Sequence, residues 1–472
     1  MEKFHQFINQ VNAPLWDIVV LALLATGLFF TITTGGVQIR LFAQSIREMF
    51  NGRNSADKNK ESISAFQAFV IGLASRVGVG NVAGVALAIT LGGPGAVFWM
   101  WVTAIIGMSS AFAESSLAQL FKVKDANGQY RGGPAYYITQ GLKQRWFGVL
   151  FALSLIITYG FVFNAVQSNT IAEASQEAWG LSSTTVGIAL VVLSAPMIFG
   201  GIKRISKIAE FLVPVMATLY IGMAVYILVK NISLVPEVIH YIIRSAFDFS
   251  AAASGFFAAF FSQAMIYGIK RGLYSNEAGM GSAPNAAASA DVKHPVSQGM
   301  IQMLGVFVDT IIICTATAVI ILLSGVHIDA TTTGAQLTQL AIESQVGSWG
   351  KDFLAIIMFM FAFSTIIGNY AYAENNISYL KDNRLLLNVF RVLVLAMVYW
   401  GTTQKVMLVW DMADMFMGIM TLINLTAILL LAPIVWTLLK DYQQQLKQTK
   451  VPQFNINKHP KLAKRVESDI WK

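Results

Sequence analysis

Gly78-Val79-Gly80-Asn81 stands near the middle of residues 62–107, whose first half is apolar and long enough to cross a bilayer, for which about 20 residues suffice. Two glycines and an asparagine make a poor helix interior. In hydrocarbon, backbone groups released from helix bonds must find partners in protein, water or ligand, so a break at that depth lines a cavity. A second half-helix starting near Asn81 would aim free N–H groups and a positive dipole end at that cavity, which suits a carboxylate. The carbonyls ending the first half-helix would suit a small cation. Interrupted spans of this kind point to solute transport driven by an ion. Asn81 then either joins Gly78, Val79 and Gly80 in holding a ligand or caps the second half-helix.

The rest of the chain has to place that break in a membrane. It has 472 residues, 55% hydrophobic and only 12% charged, with a mean hydropathy of +0.59, whereas soluble chains are about one quarter charged. The pattern predicts an all-α integral membrane protein with eleven spans, numbered here in order: 15–36, 63–90, 95–121, 146–175, 181–200, 206–230, 252–271, 297–325, 350–380, 386–401 and 408–439. Residues 1–440 read as one transmembrane domain and 441–472 as a polar tail. Of the 33 Lys and Arg, 27 fall on one alternate set of loops and five on the other, with Arg76 inside a span. The crowded side is expected to be cytoplasmic, which puts the N-terminus outside and the C-terminus inside. With span 1 set aside, spans 2–6 and 7–11 form two sets of five that start on opposite sides, the arrangement of an inverted repeat. A second break is expected in span 7, within 251–263. The segment 275–284, Ser-Asn-Glu-Ala-Gly-Met-Gly-Ser-Ala-Pro, reads as a short cytoplasmic loop locked by Glu277.

Gly92-Gly93-Pro94-Gly95-Ala96-Val97-Phe98-Trp99-Met100-Trp101-Val102-Thr103-Ala104-Ile105-Ile106-Gly107 resembles the signature of the sodium:alanine (alanine or glycine:cation) symporter family. The stretches 78–85, 131–137, 166–170, 275–284 and 361–365 are similar to that family as well, and the likeness runs over residues 10–440. The resemblance implies a leucine-transporter-type (LeuT) fold, five plus five inverted helices after one extra helix. It further implies Na⁺-coupled uptake of a small neutral amino acid, alanine or glycine foremost, by alternating access. Ser364 and Thr365 resemble the hydroxyl pair that ligates Na⁺ in that fold, with the carbonyls of Ala74 and Val77 as partners. The alternative for both hydroxyls is helix-to-helix bonding. Gln167 is implied as a substrate contact, with Phe163 one turn before it. Where many relatives carry a large aromatic, this chain has Asn369, and where a hydroxyl is usual it has Val79. The smaller, polar Asn369 opens the pocket to serine or glutamine. Phe256, Ala258, Ser262 and Gln263 of span 7 complete the candidate substrate contacts.

Charges inside spans are costly and mark function by default. Arg76 is expected to pair with Glu114 or Asp309, to stand in for a bound cation, or to attract a substrate carboxylate. Glu374, nearer the cytoplasmic end, reads as a gate contact. Proton coupling through Glu114, Asp309 or Glu374 is the rival within transport, and an ion channel is the rival outside it. The chain has no His-Glu-x-x-His, a single cysteine (Cys314) and no nucleotide loop. An enzyme, an organic cofactor and a nucleic-acid partner are therefore not expected; Na⁺ would be the coupling ion. The expected setting is a bacterial inner membrane, multi-pass and in contact with lipid, with the protein acting as a monomer.

Overall fold

The structure is a computed structural model that describes residues 2–52, 63–126, 128–247, 262–328, 334–449 and 451–472. Among the described residues, eight helices are long and apolar enough to cross a membrane, and a bent pair makes a ninth. They coincide with spans 1 (Glu2–Thr33), 3 (Gly95–Leu120), 4 (Arg145–Trp179), 6 (Ile202–Lys230), 8 (Pro295–Leu323), 9 (Trp349–Leu380), 10 (Arg384–Thr402) and 11 (Val406–Leu430). Span 2 is the bent pair, Ala65–Arg76 and Gly80–Gly92, with 51° between its halves. Span 5 is the shorter apolar helix Ser183–Ile198. Span 7 is described only from Ser262 onward, as the helix Gln263–Asn276; Phe256 and Ala258 lie outside the described residues.

Span 2 begins at a capping box, Ser64 with Gln67, that satisfies the first free N–H groups of its helix. Just before it, the two-residue strand Ile63–Ser64 pairs in parallel with Ala290–Asp291. Span 2 thus leaves the very end of the molecule at which span 7 arrives, as opposed members of an inverted pair must.

The break expected in span 7 within 251–263 lies outside the described residues except for Ser262 and Gln263; the described part holds an interruption farther along. Its helix ends at Glu277, a non-glycine residue at φ 60°, and Gly279 and Gly281 follow at φ 82° and 86°. A short helix, Pro284–Ala288, follows. Residues 275–284 are therefore not a surface loop: all ten are buried. The positive φ values explain why glycines alternate there, since side chains on L-residues oppose that conformation. Lys270 and Arg271, counted above among the loop cations, sit inside the span. Both bind Asp414 of span 11, at 3.3 and 2.6 Å, and the Lys270 ammonium lies 5.0 Å from the Trp16 ring.

The polar tail also packs. Phe454, Leu462 and Trp471 are buried in the same core as the spans. Trp471 Nε1 donates to Leu120 O (3.1 Å), Ser468 Oγ to Lys122 O (2.8 Å) and Phe454 N to Lys293 O (2.9 Å).

Candidate functional site

The two breaks meet at the centre of the bundle. A Cβ on Gly80 would come within 2.8 Å of Tyr274 Cδ1 and 3.2 Å of Ser275 Cα, so only glycine permits the approach of span 2 to span 7. Ser75 Oγ lies 2.9 Å from Glu277 Oε1, and Ser282 Oγ donates to Glu277 Oε2 at 2.8 Å. One carboxylate thereby joins the lower half of span 2 to both sides of the span 7 break.

Span 3 satisfies the released backbone of span 7. Glu114 accepts from the N–H groups of Gly279 and Gly281, each at 3.1 Å, and from Asn424 Nδ2 at 2.7 Å. Asn424 also donates to Gly279 O (2.9 Å) and accepts from the Tyr137 hydroxyl. Span 8 engages the span 2 break chiefly through side chains. Asp309 accepts from Asn81 Nδ2 (2.6 Å), Ser275 Oγ (2.8 Å) and Thr310 Oγ1 (2.9 Å). Cys314 Sγ lies 3.3 Å from Asn81 Nδ2 and 3.2 Å from Ser275 Oγ, and Thr317 Oγ1 donates to Asn81 O at 2.6 Å. Asn81 Oδ1 itself accepts from Gly78 N at 2.8 Å, which ties the break together from within; the second half-helix, starting at Gly80, has no side-chain cap.

On the carbonyl side, Thr365 Oγ1 of span 9 lies 3.0 Å from Ala74 O, 3.4 Å from Val77 O and 3.0 Å from its own Phe361 O. One hydroxyl hydrogen serves one acceptor at a time. Four oxygens thus crowd a buried point with a single proton among them, and oxygen-only surroundings suit a hard cation. Ser364, one residue earlier, turns the other way, toward Met216 Sδ (3.7 Å) and Phe361 O (2.8 Å).

On the N–H side, Val79 N donates to Gln167 Oε1 of span 4 at 3.2 Å, and Gln167 Nε2 reaches the Tyr274 hydroxyl at 3.3 Å. Phe163 and Tyr274 rings stand 4.6 Å apart, and Tyr274 and Trp410 rings 4.7 Å. The Arg271 guanidinium lies 4.6 Å over Trp410 while it pairs with Asp414. Aromatics and an ion pair therefore close the site toward the end where span 7 begins. Beside the break, Asn369 Nδ2 donates to Asn164 Oδ1 (3.1 Å), and Asn369 Oδ1 lies 3.0 Å from Ser75 Oγ.

From the opposite, basic end a cavity of about 390 Å³ runs inward to Ile71, Ala371 and Tyr372. Glu374 and Arg391 line it, 3.7 Å apart. Tyr372 lies one turn from Asn369 on span 9, so this cavity ends about one helical turn below the breaks.

The span 2 break thus carries Ala74, Val77, Gly78, Val79, Gly80 and Asn81, with Arg76 beside it; Thr365, Gln167 and Asp309 bond to it, Asn369 reaches Ser75, Phe163 packs on Tyr274, and Glu114 binds the span 7 break. Ser262 and Gln263 lie elsewhere: Ser262 caps its helix by accepting from Met265 N, and Gln263 is exposed beside Gly92, at the far end of span 2. Arg76 makes no ion pair within 4 Å among the described residues, contrary to the expected pairing with Glu114 or Asp309. Both carboxylates are already engaged by neutral donors. Tyr274, Trp410 and Asn164 were missed in the sequence, and Ser275 and Glu277 were assigned to a surface loop. Gly279-Met280-Gly281 repeats the Gly-x-Gly of span 2 and was the available signal.

The model of the sodium:alanine symporter family matches residues 1–456. The chain is 58% identical to an uncharacterized transporter of Haemophilus influenzae, over 98% of this chain and 96% of that one. It is 49% identical to the probable sodium/glutamine symporter GlnT of Bacillus subtilis (95% and 92%) and 48% identical to the amino-acid carrier protein AlsT of the same organism (100% and 98%). With its two interrupted spans meeting at mid-bundle, the chain belongs to the sodium:alanine symporter family.

Proposed function

We propose that the paired breaks of spans 2 and 7 are where this Na⁺-coupled amino-acid symporter holds its cargo. The carrying observation is the separation of two chemistries along a few residues of span 2. Carbonyl oxygens of Ala74 and Val77 crowd Thr365 Oγ1, while the next N–H groups, of Gly78 and Val79, point at the removable amides of Asn81 and Gln167. Na⁺ takes the carbonyl side. The substrate carboxylate takes the N–H side and displaces the Gln167 oxygen, which occupies that place in the closed site. Once bound, Na⁺ fixes the backbone that presents those N–H groups, so each ligand favours the other.

The substrate is a small neutral amino acid. The family name supports alanine, the name of one relative supports glutamine, and the Asn164–Asn369–Ser75 group supports a polar side chain. The basic face is cytoplasmic, with the N-terminus outside and the C-terminus inside a bacterial inner membrane. The cavity beside Glu374 and Arg391 is then the inward exit. The Arg271–Asp414 pair above the Tyr274–Trp410 aromatics is the outer closure. The ion gradient supplies the work, so neither an organic cofactor nor enzyme chemistry is required, and one chain contains the whole path.

The test is uptake of labelled alanine, glycine, serine and glutamine into proteoliposomes. Accumulation above equilibrium is expected with an inward Na⁺ gradient and not with choline in its place. Asn81→Ala and Thr365→Ala should both weaken uptake at unchanged protein level. Equal accumulation driven by a proton gradient without Na⁺ refutes sodium coupling, and flux that never saturates indicates a channel.

A further inference from the structure

A groove of about 570 Å³ opens at the basic end of the molecule, between Arg40 and the helix Ala432–Leu446 that continues from span 11. Arg40, Lys440, Gln443, Gln444, Leu446 and Lys447 line it. Lys440, Gln443, Gln444 and Lys447 follow one another at intervals that place them on one helix face. Arg40 Nη2 donates to Thr34 O at 2.8 Å, which fixes the guanidinium while using one of its several N–H groups. Among the described residues, no carboxylate lines the groove. The acids closest to it in the chain have other partners. Glu48 accepts from the Tyr442 hydroxyl (2.8 Å) and Gln44 Nε2 (3.2 Å). Asp441 binds His294 (3.1 Å) and His459 (3.3 Å) and accepts from Gln445 Nε2 (2.7 Å). Three cations therefore face one space with no acid in its walls.

Both walls turn apolar on the side of the spans. Trp436 stands one helical turn before Lys440 and is exposed, as are Pro433 and Leu430 before it. On the other wall Ile39, adjacent to Arg40, is 75% exposed and Ile32 is 76% exposed. The rings of Phe29 and Trp436, 6.2 Å apart, join the two walls there. In a bilayer such apolar surface lies against acyl chains, and tryptophan marks the level of the headgroups. Cations directly beyond that level meet lipid phosphates. The juxtaposition fits a ligand that is anionic at one end and hydrocarbon at the other. We propose that this groove binds an anionic phospholipid, with its phosphate among Arg40, Lys440 and Lys447 and its acyl chains against Ile39 and Trp436. The site uses none of the residues at the breaks, so it stands or falls separately from the symport reading.

The experiment is native mass spectrometry of the full chain in detergent micelles titrated with phosphatidylglycerol and, separately, phosphatidylcholine of the same acyl chains. The wild type should retain one phosphatidylglycerol at concentrations where phosphatidylcholine is lost. Joint substitution Lys440→Gln and Lys447→Gln should weaken phosphatidylglycerol binding roughly 30-fold, since each cation near an anionic surface counts for about 1 kcal/mol. Both lysines are exposed, so their charge can be removed without disturbing the core. Lys440→Arg with Lys447→Arg should keep the preference. So should Lys207→Gln with Lys461→Gln, which removes two exposed cations outside the groove. Equal retention of the two lipids by the wild type overturns the proposal. An unchanged preference in the Lys440 and Lys447 glutamine variant does the same. A loss as large in the Lys207 and Lys461 variant would assign the effect to overall surface charge and overturn the site. Displacement of phosphatidylglycerol by inorganic phosphate at equal concentration would reveal a site for free anions and overturn the lipid assignment.

Discussion

Gly78→Ala puts a methyl group where the proposed ion and substrate places touch. Gly78 does not have a positive φ, so alanine can keep its backbone conformation and the effect comes from the added carbon alone. That carbon would overlap Thr365 Oγ1, stand 3.2 Å from Thr365 Cβ and lie 3.1 Å from Gln167 Oε1. Threonine is branched at Cβ and cannot easily swing aside. Overpacking of this kind costs about 1–3 kcal/mol, and each 1.4 kcal/mol is tenfold in affinity, giving a loss of roughly 5- to 150-fold. Because the methyl meets both residues, half-saturation should rise for Na⁺ and for the amino acid alike, measured as Na⁺- and substrate-dependent uptake at matched protein level. Adding Thr365→Ala should restore part of the room, so the double variant should lose less than the two single losses combined. A Gly78→Ala protein with both half-saturations within about twofold of wild type would refute the shared junction, since the stated overlap predicts far more. A rise confined to the amino acid would refute it equally.

Gln167→Leu strips the oxygen from Val79 N and the amide from Tyr274 OH. Unpaired buried groups cost about 1–3 kcal/mol; the empty site bears that cost and a carboxylate on Val79 N relieves it, so the substrate KM should fall while Na⁺ half-saturation at high substrate stays put, and a raised KM or a selective loss of Na⁺ affinity would contradict the assignment. At the basic face, burial pushes the His294 imidazole below its ordinary range, although its bond to Asp441 (3.1 Å) opposes this. Burial tends to raise the Asp441 carboxyl, but His294, Gln445 and His459 hold it below the ordinary value. An unfolded histidine takes up its proton near pH 6.5 while folded His294 resists, so stability falls as pH drops below about 6.5. Asp441 stays ionised in that window and loses its contribution only in stronger acid. Phe454, which packs edge-on against His294 at 5.4 Å, should carry the effect to the tail. Hydrogen exchange in 451–472, corrected for intrinsic rate, should increase between about pH 7.5 and 5.5; unchanged protection would refute this.

Most spans were legible because a bilayer demands a minimum apolar length, and span 2 could be read for the reverse reason, a helix-breaking sequence inside such a length. Span 7 misled for an equally physical cause. Lys270, Arg271 and Glu277 flank a glycine-rich run, and a local reading gives such a run to water. The cations are instead neutralised by Asp414, 143 residues away, and the glycine N–H groups by Glu114, 165 away. No local window contains those partners. The packing of the tail was out of view for the same reason: its mean polarity is high, yet Phe454, Leu462 and Trp471 are buried against the spans, with bonds to the main chain of Lys293 and Leu120. Within the site, Thr365 and Ser364 are indistinguishable by type, and only helix rotation decides which hydroxyl faces Ala74.

The wiring of the two breaks bears on how binding can become movement. Ser75 is one residue from Ala74, whose carbonyl Thr365 touches, and its hydroxyl has a choice of two acceptors, Glu277 at 2.9 Å and Asn369 at 3.0 Å. A hydroxyl has one proton to give. If the proposed ion draws the Ala74 and Val77 carbonyls in, the last turn of that half-helix would rotate, and Ser75 with it. The choice of acceptor then either engages span 7, through Glu277, or releases it in favour of span 9. Glu114 and Asp309 hold the far sides of the two breaks in place meanwhile, so the displacement has to appear where the spans are linked by hydroxyls rather than by fixed amides. That link lies on the side facing Tyr372 and the 390 Å³ cavity, which is where a site closed by aromatics on its other side must open to deliver its cargo.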